Sequence, residues 1–174
     1  MGTLNGKKAL LVIASQNFRD EEYAEPRKAL EAVGAAVTVA CSKLGTARGM
    51  LGAAAKPDIL LADAQASDYD AVVFIGGSGA NEYWESPTAH ALARSAAAAG
   101  KLVAAICIAP VTLARAGLLK GKRATVYPSC EGDLAAGGAT VTKGPVERDG
   151  KLITGVGPQA AGAFGKALVE ALSK

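Results

Sequence analysis

Cys107 stands in the stretch Lys101-Leu-Val-Ala-Ala-Ile-Cys-Ile-Ala-Pro-Val, where an apolar run ends in a thiol and Pro110 opens a helix. Ala105 and Ala109 lie two residues to either side of it. A nucleophile elbow needs small residues at those places, because the strained strand-to-helix turn presses them against neighbouring backbone. Such a turn lifts its side chain above the carboxyl edge of a sheet, and the helix N-terminus behind it is expected to favour the thiolate. Taken alone, the turn also fits the commoner fate of a cysteine, a small buried hydrophobe ending a strand.

A second chemical group comes from Asp20-Glu21-Glu22-Tyr23-Ala24-Glu25-Pro26, which opens a helix. Helical spacing puts Glu22 on one stripe with Pro26, Ala29 and Val33, the apolar face, so Glu22 is expected to point inward. Glu21 and Glu25 share a stripe with Lys28 and read as solvated carboxylates suited to the positive end of the helix. Burial disfavours a charged carboxyl, so Glu22 is expected to titrate high and to donate a hydrogen bond to a nearby thiolate. The alternative is a first-turn residue at a boundary, without a partner.

Ile75-Gly76-Gly77-Ser78-Gly79 follows the most uniformly apolar run of the chain. Glycines there free backbone N–H groups for close approach, and the amide of Gly77 with that of Ile108 is expected to form an oxyanion hole beside the sulfur. A plain glycine turn is the competing reading. His90, the single histidine, falls in the first turn of a helix begun by Ser86-Pro87 and reads as a surface residue without a catalytic role. Cys41 has no evident partner.

These groups need a scaffold, and the order of apolar runs supplies one. Strands are predicted at Lys8 to Ala14, Ala36 to Ala40, Ala71 to Ile75, Leu102 to Ile106 and Leu152 to Thr154. Helices are predicted at Glu21 to Val33, Thr88 to Ala99 and Val111 to Ala116, stopped by Gly34, Gly100 and Gly117. This alternation implies an α/β fold with a parallel sheet covered on both faces. Ala71-Val-Val-Phe-Ile, apolar at every position, fits a central strand. Glycines and Lys56-Pro57-Asp58 suggest a hairpin excursion within Thr46 to Ala62, and Asp149-Gly150 a second hairpin over Val146 to Thr154.

With 174 residues, half of them hydrophobic, the chain is expected to form one domain over residues 1–174. Aromatics make up only 5%, so the core is expected to be aliphatic and thin between layers. The net charge of +3 is mild, Lys120, Lys122 and Arg123 are the one basic cluster, and no aromatics interleave with it; nucleic acid is not an expected partner. The apolar run Ala9 to Ala14 is too short to cross a bilayer, and Gly6 stands where an N-terminal acylation pattern needs Ser or Thr. Three dispersed cysteines without a C-x-x-C pair point to a reducing, cytoplasmic setting and give no metal-ligand spacing. Gly155-Val-Gly157-Pro-Gln-Ala160 has the form of a dinucleotide fingerprint, but too little chain follows it to supply the strand and acidic residue that hold the ribose. No cofactor is expected.

Taken together, Phe18-x-Asp20-x-Glu22, Gly76-Gly77 after a strand, and Ala105-Ile106-Cys107-x-x-Pro110 resemble the ThiJ/PfpI superfamily in order and spacing. Ala124-Thr-Val-Tyr-Pro128, the Gly137-Gly138 turn, and the Asp149-Gly150-Lys-Leu-Ile-Thr and Gly157-Pro158 segments extend the similarity along the chain. The resemblance implies a flavodoxin-like three-layer sandwich with a mainly parallel central sheet, assembled as a homodimer or higher homo-oligomer. It implies Cys107 as nucleophile with Glu22 hydrogen-bonded to it, oxyanion-binding amides at Gly77 and Ile108, and a pocket that includes Gly76, Tyr127 and Cys130. Two departures bear on activity. The protease-like branch has a histidine directly after the cysteine, where this chain has Ile108, so the Cys–His pair of a peptidase is missing. Where the deglycase branch has a histidine near the sulfur, this chain has Tyr127, a donor but a poor base near neutrality.

Base chemistry then falls to Glu22. The expected activity is glyoxalase III-like or deglycase-like, with Cys107 adding to a small reactive carbonyl such as methylglyoxal. A redox-sensing or chaperone-like stress protein with an oxidisable Cys107 is the alternative, Cys130 being either a resolving thiol or a spectator.

Overall fold

The computed structural model describes residues 3–174; Met1 and Gly2, on which the acylation reading falls, lie outside them. β1 (Lys8–Val12), β2 (Gln16–Phe18) and helix α1 (Asp20–Ala32) come first, followed by β3 (Ala36–Cys41), β4 (Ala47–Gly49), β5 (Ala54–Ala55), β6 (Ile59–Leu60), β7 (Ala71–Phe74) and α2 (Pro87–Ala98). Then come β8 (Leu102–Ile106), α3 (Pro110–Arg115), β9 (Arg123–Ala124), α4 (Glu131–Ala136), β10 (Thr140–Val141), β11 (Val146–Asp149), β12 (Leu152–Gly155) and α5 (Ala161–Leu172).

Seven strands form the central sheet in the order β11-β12-β8-β7-β1-β3-β6. All its pairs are parallel except the edge hairpin β11/β12. Counted in chain order, β1, β3, β7, β8 and β12 lie in the flavodoxin-like order 2-1-3-4-5. The strand that is apolar at every position, β7, takes the middle of the sheet, as its pattern predicts.

Alternation along each strand divides the core in two. Leu10, Val12, Val72, Phe74, Val103 and Ala105 face α2 and α3, whose Leu92, Ala93, Ala96 and Leu113 join the same cluster. Leu11, Val39, Val73, Ala104 and Ile106 face the other way, against Leu30 of α1 and Phe164 and Leu168 of α5. Each Val, Leu, Ile or Phe among them, fully buried, contributes about 1.5–3 kcal/mol, and each alanine less. The helices come close because side chains are small: a Cβ on Gly165 of α5 would stand 3.2 Å from both Pro26 Cα and Ala29 Cβ of α1. Pro26 also withholds the N–H that the Glu22 carbonyl, four residues earlier, would otherwise receive.

Several short elements depart from the sequence reading. β1 stops at Val12 rather than Ala14, because the chain turns out of the sheet to pair β2 with β4. The excursion over Thr46 to Ala62 does contain a hairpin, β4/β5, yet its end returns as β6 to the sheet edge beside β3. Helix starts are each one residue early, and Ser86 caps α2 through its Oγ on the Ala89 N–H at 3.1 Å. Among the described residues no helix is long and apolar enough to cross a membrane.

At the carboxyl edge of the sheet, buried Tyr83 ties two strand ends together. Its hydroxyl donates to the Ile13 carbonyl at 2.7 Å and accepts from the Ser42 N–H at 3.0 Å. Tyr83→Phe strands a buried carbonyl and is expected to cost about 1–3 kcal/mol, measured by urea unfolding; an unchanged midpoint would show that the hydroxyl is dispensable.

Candidate active site

Three crossovers deliver three groups to one place at the carboxyl ends of β1, β7 and β8. In a doubly wound sheet this is where the strand order reverses and ligands bind. β8 ends at Ile106, and Cys107 turns the chain with a φ of 67°. For a non-glycine residue that left-handed geometry costs of order 1–3 kcal/mol, so the surroundings must impose it. They do so from both sides: the Cys107 N–H donates to the Gly155 carbonyl at 2.9 Å, and the Cys107 carbonyl accepts from the Tyr127 N–H at 2.9 Å. Ala105 and Ala109 are both buried where the elbow needs small side chains.

Gly76 and Gly77 are required by space. A Cβ on Gly76 would overlap Glu22 Oε1, and would stand 2.5 Å from Cys107 Cβ and 2.6 Å from the Ile106 carbonyl oxygen. The carboxyl and the thiol thus meet over a residue without a side chain. Gly77, at φ 107°, lies flat against the Asn17–Arg19 backbone, and the Arg19 N–H donates to the Gly76 carbonyl at 2.9 Å. That contact holds the start of α1 over the glycine turn, and so sets Glu22 above it. The backbone amides of Gly77 and Ile108 both bear on the Cys107 sulfur.

Glu22 is wholly buried, on a stripe with Pro26 and Leu30. Neither of its oxygens makes a hydrogen bond of good geometry, although the carboxyl lies close enough to the thiol for each to move the other's titration. Burial raises the Glu22 pKa to about 7, against the smaller opposing pull of Cys107. Glu21 pairs with Arg19 Nε and Nη2 at 2.8 and 3.0 Å, not with the Lys28 of its stripe, and that pairing holds its pKa below the usual range.

One expectation is overturned. The thiol of Cys107 is only 7% exposed, and burial together with the charge of Glu22 pushes its pKa up to about 12. The amides of Gly77 and Ile108 pull it down but are outweighed. The elbow does not by itself favour the thiolate, and α3 behind it is a six-residue helix. The two groups form a coupled pair: protonating Glu22 removes the charge that opposes the thiolate.

Tyr127, 43% exposed, stands beside the elbow through its backbone bond to Cys107. Cys130 does not join it. Its thiol is buried with Leu113, Leu134 and Val126 in the cluster on the α2/α3 side, whereas Cys107 belongs to the opposite cluster, so the short sequence distance from Tyr127 does not carry it to the site. His90 bonds through Nε2 to the Trp84 carbonyl at 2.8 Å and is half-buried. Arg19, whose charge acts on Glu22, was not singled out by the sequence; an arginine before an acidic helix start gives no signal of what it faces. Among the described residues no cluster of His, Cys, Asp or Glu is arranged to hold a metal ion.

Comparison with known proteins bears on the whole chain. A model described as the DJ-1/PfpI family matches residues 7–171. An uncharacterized protein of Methanocaldococcus jannaschii is 40% identical over 174 residues, spanning 98% of this chain and 85% of that protein. A deglycase of Pyrococcus abyssi is 30% identical over 145 residues, 83% of this chain and 87% of its own length. The crystal structure of a ThiJ/PfpI domain protein from Brachyspira murdochii superposes with a TM-score of 0.93 at 32% identity, covering 99% of this chain and 98% of that one.

Proposed function

Because this chain belongs to the DJ-1/PfpI family, we propose that it is a cysteine-dependent, cofactor-free enzyme acting on small reactive carbonyls of the methylglyoxal class. The observation that carries this reading is the meeting of a buried carboxyl and an elbow thiol over Gly76. Similarity to a deglycase supports it.

In the proposed sequence the Cys107 sulfur adds to the aldehyde carbon as Glu22 takes the thiol proton, and the carbonyl oxygen is protonated to give a hemithioacetal. The amides of Gly77 and Ile108, which pull the thiol's pKa down, would carry negative charge first on sulfur and then on the developing oxyanion. Glu22 next moves the proton from the former aldehyde carbon to the neighbouring carbonyl carbon, leaving a thioester. Water hydrolyses the thioester and frees the thiol. Methylglyoxal plus water becomes lactate, with no external oxidant or reductant. A carboxyl with a pKa near 7 suits both directions of transfer at neutral pH.

Purified protein mixed with methylglyoxal, without glutathione, is expected to accumulate lactate, and alkylation of Cys107 is expected to stop it. Lactate formation that continues at the same rate after alkylation would remove the thiol from the mechanism. The paired amides favour one second reading, since they would equally hold the oxygens of an oxidised sulfur. Selective addition of two oxygens at Cys107 under mild peroxide, with no carbonyl turnover, would favour redox sensing instead.

A further inference from the structure

We propose that Trp84 is a positioning residue for the nucleophile elbow: its indole N–H fixes the Ile108 peptide, so that the neighbouring amide stays aimed at the Cys107 sulfur. The inference rests on the reading of Cys107 as nucleophile. Backbone hydrogen bonds hold the elbow at Cys107 N–H to Gly155, Tyr127 N–H to Cys107, Ala109 N–H to Ile106 and Val111 N–H to Ile108, and any residues can make them. One bond comes from a side chain: Trp84 Nε1–H donates to the Ile108 carbonyl at 3.1 Å, which it shares with the Val111 N–H at 3.2 Å. Peptides on both sides of Ile108 are thereby pinned, and its N–H has little freedom to swing off the sulfur.

Trp84 is itself anchored. Its ring packs with Ile108 against the cluster that contains Ala105, Ala109 and Val111. The Arg115 guanidinium lies over the ring at 5.9 Å, and Arg115 is held by ion pairs to Glu85 and, at 2.9 Å, to Asp133. The main chain of Trp84 donates to Asn81 at 3.2 Å and accepts from His90 at 2.8 Å. This gives the lone histidine a structural task. The 3-10 turn Ser78–Tyr83 leads from Gly77 to Trp84, so one stretch of chain begins at one amide facing the sulfur and ends at the side chain that steadies the other.

Trp84→Phe keeps an aromatic ring and deletes the donor. Two readouts are compared with wild type: the pH profile of iodoacetamide alkylation at Cys107, read by peptide mass, and methylglyoxal kinetics. Glu22 of α1 is the charged group acting on this thiol, itself under Arg19 and Glu21, and none of these changes in the variant. Expected are a higher alkylation midpoint, a rate at pH 8 about three- to tenfold lower as befits one lost hydrogen bond, and a similar fall in kcat with KM nearly unchanged. Alkylation and kcat both equal to wild type would overturn the proposal. A shifted alkylation profile in a protein that never turns over methylglyoxal would uphold the positioning role and sink the carbonyl reading instead. If the phenylalanine variant does not fold, benzothienylalanine at position 84 has the shape of the indole with sulfur in place of N–H, and the same shift is expected from it.

Discussion

Glu22→Gln is expected to lower carbonyl turnover by about 10²–10⁴-fold, the usual worth of a positioned proton carrier, and yet to make the protein more stable at alkaline pH. The second effect follows from burial. The carboxyl of Glu22 has a pKa of about 7 in the fold, against 4.5 as its ordinary value. A group whose folded pKa is raised contributes stability that is fully present below the unfolded value and is lost as pH rises through the folded one. Between about pH 4.5 and 7 the folded state holds a proton that the unfolded chain has released, so wild-type stability falls across that window by roughly 3 kcal/mol. Glutamine has no such slope. Urea unfolding at a series of pH values should therefore show the variant gaining on wild type by that amount. Parallel curves would mean that Glu22 is solvated in solution, and the proton-transfer mechanism would fall with its burial.

Gly76→Ala should damage fold and chemistry together. The added methyl would sit against Glu22 Oε1, Cys107 Cβ and the Ile106 carbonyl, the two side chains of the proposed mechanism and a central strand, none free to retreat. Overpacking of this kind costs about 1–3 kcal/mol, and the way to relieve it is to part the carboxyl from the thiol. Turnover is expected to drop to background even where the protein remains folded, and the Cys107 alkylation profile to lose its dependence on Glu22. Gly45→Ala is the control, since nothing lies within 4 Å of a Cβ there and its backbone is not left-handed. That variant should stay within about 0.5 kcal/mol of wild type. Full activity in Gly76→Ala would show that the two groups do not need their contact.

Much of this was legible in residue patterns because the patterns are local. Gly34, Gly100 and Gly117 end their helices with φ of 95°, 72° and 85°, a conformation that glycine reaches without strain. The unbroken apolar run of β7 revealed a strand covered on both faces, and Glu22 on an apolar stripe revealed a buried acid. What residue patterns do not carry depends on distant partners. β6, β9 and β10 are two residues each, too short to show a period, and exist only because a neighbouring strand receives them. The raised pKa of Cys107 is not legible in its turn, because the turn is local but desolvation is not. Three residues of chain from Tyr127 do not say which side of the sheet a thiol enters, and Cys130 packs with Leu113 and Leu134. Trp84 carries no motif at all; its part emerges only where its ring meets the Ile108 carbonyl.

The bond from the Cys107 N–H to Gly155 also orders events in time. Gly155 closes β12, the last parallel strand to be made, and β12 lies directly against β8. A ribosome-bound chain that has emerged only as far as α3 owns the thiol, the carboxyl and both glycines, but the bonds from Gly155 and Tyr127 that force Cys107 into its left-handed turn are still missing. The turn that buries the thiol, and with it the rise of its pKa to about 12, is therefore completed only when the C-terminal segment docks.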